Sequence, residues 1–253
     1  MRSLVLTTLF CAGTLYGDDG TVVEGMRNDD RMVEGEEAMR YFLIQRDGKV
    51  RPPRAGHPLM VVLPGGTGEA VFNPFVQRVA KSTMPEEMVV VQLVAPPLER
   101  GQVTVWPTEG NPVGDGKFKT EDFFKAVVDD VVKRGVKIDR DRIFTLSWSS
   151  GGPAAYAIAL DKKAGVAGSY VAMSVFRPEW MPPLSGAKGK AFFIDHSPED
   201  VVCRFSHAEA AIEELGKEGA EMKLETYAGG HGWKGDVFGR IRGGVEWLLE
   251  QTK

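Results

Sequence analysis

Short apolar runs alternate with amphipathic segments along most of the chain. Runs of about four to eight apolar or β-branched residues, bounded by polar residues, glycine or proline, are typical of strands. Several segments have this pattern and are predicted as strands: 40–44, 58–63, 87–94, 142–146, 168–175, 190–194 and 222–227. Others have the periodicity of amphipathic or buried helices: 73–82, 120–134, 153–160, 206–218 and 238–251. This alternation predicts an α/β fold in which helices cover both faces of a mostly parallel sheet.

The N-terminal part differs from the rest of the chain. Residues 1–17 combine an early arginine, an apolar run and small residues. This pattern predicts a secretory signal peptide and export to the periplasm or the extracellular space, with a cytoplasmic protein as the alternative. Residues 18–37 are acidic and polar with little periodicity, so they are predicted to form an arm without regular structure. The folded domain is predicted over residues 38–253, without a large cap domain.

Composition narrows the classes of function. The 253 residues are 43% hydrophobic and 26% charged, which is ordinary for a globular protein. A net charge of −4 gives no sign of the basic surface that binds nucleic acid. No apolar run approaches the roughly 20 residues that span a membrane. No ligand spacing typical of a metal site occurs, so we expect neither a metal nor another cofactor.

Ser149 lies at the turn between a predicted strand and a predicted helix. The positions two before and two after it, Ser147 and Gly151, are small, and Pro153 suits the first turn of the helix. This is the layout of a nucleophile elbow, in which strand and helix approach closely and a serine hydroxyl projects above the sheet. Ser147 and Ser150 are rival serines, but only Ser149 has small residues on both sides and the apex of the turn.

A glycine-rich loop, residues 64–68, directly follows another predicted strand. Acyl transfer passes through a tetrahedral oxyanion, which needs preorganised hydrogen-bond donors. We predict that the backbone N–H of Ser150 supplies one donor and that of Gly66 or Thr67 the other. The loop lacks the Lys-Ser/Thr pair of a nucleotide-binding loop, so the oxyanion interpretation is favoured over phosphate binding.

An acid and a base follow two further strands. Asp195, Glu199 and Asp200 lie in the loop after the strand at 190–194, and His231 lies in a glycine-bounded loop after the last predicted strand. A histidine can activate a serine near neutral pH, and a carboxylate can fix the tautomer of that histidine. The order serine, acid, histidine along the chain is that of α/β-hydrolases. Residues after parallel strands meet at one edge of the sheet, which is where ligands bind.

His231 has three competitors. His57 precedes a predicted strand and therefore belongs at the opposite edge of the sheet, and His207 falls within a predicted helix. Both are expected at the surface. His196 lies in the same loop as the candidate acids, so it stays near the site.

The chain resembles serine esterases of the α/β-hydrolase superfamily, in particular the phospholipase/carboxylesterase and polyhydroxybutyrate-depolymerase/feruloyl-esterase groups. The resemblance runs from about Arg40 to the C-terminus and rests on four segments: 61–66, 138–149, 196–200 and 229–233. Two positions depart from the family pattern. Pro64 stands where a histidine is frequent, and Ser147 stands where the elbow often has glycine.

The resemblance implies roles for several residues. It favours Asp200 over Asp195 as the acid of a catalytic triad with Ser149 and His231, and it implies a structural role for His196. Trp106 resembles a tryptophan of the substrate cleft.

Trp148 and Trp233 also fall in the predicted edge loops, so these three tryptophans are predicted to line a substrate pocket. The expected activity is hydrolysis of carboxylic esters, either small molecules or polymers, through a covalent acyl-enzyme. A peptidase of the same fold and a binding protein without turnover are the alternatives.

Overall fold

One mixed β-sheet organises the protein. The computed structural model describes residues 23–48, 50–98 and 101–252. Within these residues the strands are β1 (Met26–Val33), β2 (Glu36–Arg46), β3 (His57–Leu63), β4 (Val89–Leu93), β5 (Ile138–Trp148), β6 (Val166–Ala172), β7 (Ala191–His196) and β8 (Glu221–Thr226). The α-helices are α1 (Asn73–Thr83), α2 (Thr120–Lys133), α3 (Gly152–Leu160), α4 (Ser206–Lys217) and α5 (Val237–Glu250). The predicted signal peptide at 1–17 lies outside the described residues and stays a prediction.

The eight strands lie in the order β1-β2-β4-β3-β5-β6-β7-β8. β1 pairs with β2, and β2 with β4, in antiparallel fashion, whereas all the other pairs are parallel. α1 and α5 pack on one face of the sheet, and α2, α3 and α4 pack on the other. The predicted α/β class and the predicted cover of helices on both faces are confirmed.

α3 is buried on all sides, as its composition requires. Eight of its nine residues are buried, from Gly152 to Leu160, and most of them are alanine or apolar. A helix that is apolar all round is stable only in a core. It begins immediately after the candidate elbow, so the sheet and this helix together fix the turn between them.

The predicted arm at 18–37 is wrong for the part that the structure describes. Regular structure begins at Met26, because β1 and β2 form an antiparallel hairpin whose turn includes Gly35 at φ +84°. The polar residues of β1 pair with one another: Asp29 lies 2.8 Å from Arg27 and 3.3 Å from Arg31. A charged edge strand of this kind resists pairing with other chains, and it lacks the apolar alternation that reveals a strand.

The other predicted elements are confirmed, with local differences. β5 begins at Ile138, four residues earlier than predicted, through a short charged stretch. His57 begins β3 away from the candidate site, as expected, but it is buried and not at the surface, with Nδ1 2.6 Å from the Glu87 carbonyl. None of the helices in the described ranges is both long and apolar enough to cross a bilayer.

Candidate active site

Ser149 occupies a strained turn at the end of β5. Its φ of +50° lies in the left-handed region, which is rare for a residue with a side chain and common at functional sites. The packing explains why its neighbours are small. A Cβ added to Gly151 would lie 2.2 Å from the carbonyl oxygen of Leu63, and Ser147 is fully buried. The predicted elbow geometry is therefore present.

The Ser149 hydroxyl meets the imidazole of His231. Ser149 Oγ lies 3.1 Å from His231 Nε2, and His231 Nδ1 lies 2.7 Å from Asp200 Oδ2. An ionised carboxylate can only accept a hydrogen bond, so Nδ1 is the donor toward Asp200. The neutral ring then presents an unprotonated Nε2 to the serine hydroxyl, which is the arrangement that a general base requires.

The Asp200 carboxylate is buried and held by backbone donors. Its second oxygen, Oδ1, accepts hydrogen bonds from the N–H groups of Val202 and Cys203, each at 2.8 Å. His196 lies on the other side of this loop, where its Nε2 donates to the Cys203 carbonyl at 2.7 Å and stands 3.4 Å from Asp200 Oδ2. Burial lowers the pKa of His196 below its ordinary value, so this ring is neutral near pH 7. The loop therefore presents one fixed carboxylate to His231.

Asp195, the rival acid, is engaged elsewhere. Its carboxylate accepts a hydrogen bond from the Tyr170 hydroxyl at 2.8 Å and from Arg240 Nε at 3.0 Å. Burial raises the pKa of Asp195, and the charge of Arg240 opposes that rise. Glu199 also has another partner, since its Oε2 accepts from the Gly229 N–H at 3.0 Å. Of the three carboxylates, only Asp200 contacts His231.

The glycine-rich loop lies directly beside the elbow. The Ser150 hydroxyl donates to the carbonyl of Gly66 at 2.8 Å, which ties the loop to the turn that carries Ser149. The backbone N–H groups of Gly66 and Thr67 donate no hydrogen bond within the described residues. Gly66 has a φ of +60°, a conformation that glycine adopts without strain. These two N–H groups are thus available to an anion next to the serine.

Trp106 and Trp148 pack against this loop. Trp106 Nε1 donates to the Pro64 carbonyl at 2.9 Å, and a Cβ on Gly68 would lie 2.8 Å from the Trp106 ring. A Cβ on Gly65 would lie 2.4 Å from the Trp148 ring. Both tryptophans are buried and pack against the glycine loop. Their rings occupy the space that side chains at Gly65 and Gly68 would need.

Trp233 is half-buried and belongs to an aromatic cluster that contacts the elbow. Trp233 lies in the loop of residues 227–236, which carries His231 and is called the histidine loop. Its ring centroid lies 5.8 Å from that of Trp148 and 5.8 Å from that of Phe75. Phe72 contacts Trp148 edge-on at 5.5 Å. The involvement of these aromatic residues in a substrate pocket stays a prediction, whereas the ring contacts connect the elbow with the loop that carries His231.

Sequence reasoning missed several residues that hold the site. Arg240 of α5 pairs with Asp195 and donates from Nη1 to the carbonyl of Lys234, three residues beyond His231. Ser174, just after β6, donates from its hydroxyl to the carbonyl of Ser149 at 2.6 Å. An arginine within an amphipathic helix and a serine after an apolar strand are too common to mark such roles.

No group of three or more histidine, cysteine or carboxylate residues in the described ranges is arranged to hold a metal ion.

No protein-family model and no curated protein matches the sequence. Solved structures do match it. MGS-M1, an α/β-hydrolase enzyme from a Medee basin deep-sea metagenome library, is 16% identical, with a TM-score of 0.66 over 91% of this chain and 99% of that one. The chain has the α/β-hydrolase fold.

Two further α/β-hydrolase-fold neighbours have comparable scores. The Bacillus cereus carboxylesterase is 18% identical, with a TM-score of 0.60 over 83% of this chain and 93% of that chain. Esterase 2 of Thermogutta terrifontis, solved phosphoramylated by tabun, is 15% identical, with a TM-score of 0.63 over 92% of this chain and 97% of that one. At these identities the likeness establishes the α/β-hydrolase fold that the sequence motifs predict.

Proposed function

We propose that the protein is a serine hydrolase that cleaves carboxylic esters through a covalent acyl-enzyme. The observation that carries this proposal is the hydrogen-bonded chain from Ser149 through His231 to Asp200, with its serine on a strained turn. Nucleophile, base and orienting acid have the contacts that this chemistry needs. The glycine loop, whose Gly66 and Thr67 N–H groups donate no hydrogen bond to any residue that the structure describes, lies beside the same turn.

The reaction begins when Ser149 Oγ attacks the ester carbonyl carbon and His231 Nε2 takes the hydroxyl proton. Asp200 stabilises the imidazolium that results. The oxyanion accepts hydrogen bonds from the N–H of Ser150 and from that of Gly66 or Thr67. The carbon–oxygen bond to the leaving group then breaks, and the imidazolium gives its proton to the departing alcohol.

Water completes the cycle. His231 takes a proton from the water molecule that attacks the acyl carbon, and it returns that proton to Ser149 Oγ as the acid leaves. Esters are the proposed substrates because structural neighbours of this chain are named carboxylesterase and esterase. A peptidase would run the same steps on an amide, and a binding protein would stop before the first of them.

Replacement of Ser149 tests the proposal. Ser149→Ala removes the nucleophile, so hydrolysis of p-nitrophenyl butyrate should fall by at least about 10⁴-fold while the far-UV circular dichroism spectrum is unchanged. Ser206→Ala is the matched control, because Ser206 is exposed at the start of α4. Retention of activity by Ser149→Ala would refute the proposed nucleophile.

A fluorophosphonate probe separates the alternatives. Organophosphorus adducts form on esterase 2 of Thermogutta terrifontis, as its tabun complex records. We expect the probe to label the wild-type protein, and Ser206→Ala equally, but not Ser149→Ala. Absence of labelling in the wild type would favour a binding protein. Labelling together with hydrolysis of peptide p-nitroanilides, but not of esters, would favour a peptidase.

A further inference from the structure

Two consecutive residues just beyond β6 contact two parts of the candidate site. One contacts the turn that carries Ser149, called the serine turn, and the other contacts the histidine loop. The Ser174 hydroxyl donates to the backbone carbonyl of Ser149 at 2.6 Å. Met173 Sδ accepts a hydrogen bond from the backbone N–H of Gly232, the residue after His231, at 3.2 Å. Neither side chain takes part in the proposed chemistry, yet each holds the backbone at or next to a member of the catalytic pair.

Met173 adopts an unfavourable backbone conformation to make its contact. Its φ is +40°, and apart from Ser149 it is the only residue other than glycine with a positive φ in the described part of the chain. The side chain is buried, and the backbone N–H is tied to the Asp195 carbonyl at 2.8 Å. The Tyr227 hydroxyl reaches the same sulfur at 3.8 Å. Strain of this kind persists where the surroundings impose it, and it is frequent at functional sites.

Ser174 is packed as tightly as Met173. It is buried, and a Cβ added to Gly152, at the start of α3, would lie 2.0 Å from its hydroxyl oxygen. The Ser174 hydroxyl therefore lies between the elbow and the first turn of the helix, in the space that a side chain at Gly152 would need.

We propose that Met173 and Ser174 are positioning residues that set the distance between Ser149 Oγ and His231 Nε2. Ser149 follows β5 and His231 follows β8, so the two loops approach from different strands and have no covalent connection nearby. β6 lies in the same sheet, and Met173 and Ser174, just beyond its end, form a hydrogen bond with each of the two segments. We call this pair of contacts the clamp. A misplacement of about 1 Å between reacting groups can cost about 100-fold in rate, so such a clamp would matter for catalysis. This inference rests on the proposed function.

Two conservative variants test the clamp. Met173→Leu keeps the apolar volume but removes the sulfur acceptor, and Ser174→Ala removes one oxygen atom. We expect each to lower kcat on p-nitrophenyl butyrate by roughly 10- to 100-fold with KM changed less than about threefold, because substrate contacts remain. Matched controls are Met60→Leu in β3 and Ser169→Ala in β6, two fully buried residues in the sheet. We expect both controls to keep kcat within about twofold.

Hydrogen exchange provides a second measurement, which reports on the hydrogen bond between the Gly232 N–H and Met173 Sδ. The Gly232 amide should exchange slowly with deuterium in the wild type and faster in Met173→Leu, measured by NMR under native conditions. If the wild type hydrolyses esters but the two variants lose no more kcat than their controls, the clamp is refuted and the proposed function stands. If the wild type neither hydrolyses esters nor reacts with the fluorophosphonate, both proposals fail. Should Met173→Leu not fold, Ser174→Ala decides alone.

Discussion

Asp195 and Asp200 lie five residues apart, are both buried, and have entirely different partners. Asp200 accepts from His231 Nδ1 and from two backbone N–H groups, whereas Asp195 pairs with Arg240 and Tyr170. A carboxylate that receives backbone donors on one oxygen is fixed in orientation, so its other oxygen can fix the imidazole. Asp195, in β7, instead pairs with the guanidinium of Arg240 in α5.

Asparagine at each position separates these two roles. Asp200→Asn presents an amide to His231 Nδ1 and favours the wrong tautomer, so kcat for ester hydrolysis should fall by about 10⁴-fold. Asp195→Asn leaves Arg240 without its charge partner, so it should lower the free energy of unfolding and reduce kcat less than about tenfold. Steady-state kinetics and urea unfolding of both variants measure these effects. The opposite ranking in kcat would make Asp195 the triad acid.

The type and position of a residue decide whether its role in the site can be recognised from the sequence. Ser149, Asp200 and His231 are polar residues that follow predicted strands, and they appear along the chain in the order that an α/β-hydrolase requires. Met173 and Ser174 also follow a strand, but a methionine and a small serine there are indistinguishable from core residues. The Met173 contact depends on a φ of +40° and on a loop more than fifty residues away, and the Ser174 contact depends on the Ser149 turn, so neither has a local sequence signal.

At the scale of elements, the turn between β5 and α3 leaves no room for a methyl group. Gly151→Ala would place Cβ 2.2 Å from the Leu63 carbonyl, so strand β3 or the turn must shift. We expect this variant to lose about 1–3 kcal/mol of unfolding free energy, as other overpacked sites do, and to lose activity because Ser149 moves with the turn. Urea unfolding and p-nitrophenyl butyrate hydrolysis measure the two losses.

Gly243 provides the matched control for this prediction. It lies in α5, where an added Cβ would meet nothing within 4 Å. Gly243→Ala should therefore gain up to about 1 kcal/mol from helix propensity and leave the hydrolysis rate unchanged. A Gly151→Ala protein as stable and active as the wild type would mean that the turn has more freedom than its contacts indicate.

Elements were predicted well where burial dictates the pattern and poorly where charge pairs replace it. The central strands are buried on both faces, so they read as continuous apolar runs. β1 lies at the edge of the sheet, and one of its faces carries Arg27, Asp29 and Arg31, of which Asp29 forms ion pairs with both arginines. The first residues of β5 are charged for a similar reason, since they extend beyond the core. Such strands form through their partners, which the local sequence does not contain.

At the scale of the whole molecule, the parallel strands bring four distant segments to one edge of the sheet. The glycine loop follows β3, the serine turn follows β5, the acid loop follows β7 and the histidine loop follows β8. The chain order of strands and helices predicts this edge as the site. The chain order does not predict how deeply each loop is buried. Burial matters because it shifts the pKa of an ionisable side chain.

His196 shows how that burial connects pH with the stability of the molecule. Its ring contacts the Cys203 carbonyl and faces Asp200, and burial is the main cause that lowers its pKa in the folded state. In the unfolded chain the ring takes up a proton near pH 6.5. Between that pH and the lower folded pKa, the unfolded state binds more protons. The free energy of unfolding must then fall as the pH is lowered through this window.

The variant His196→Gln isolates this contribution. It retains a hydrogen-bond donor but cannot titrate, so it should lack this part of the acid-induced loss, which reaches about 1.4 kcal/mol per pH unit for one group. We expect the stability difference between wild type and His196→Gln to shrink from pH 7 to pH 5, measured by urea unfolding at half-unit intervals. If the two stability curves stay parallel over that range, the folded protein accepts a proton at His196 as readily as the unfolded chain does. The buried ring would then not be the source of the pH dependence.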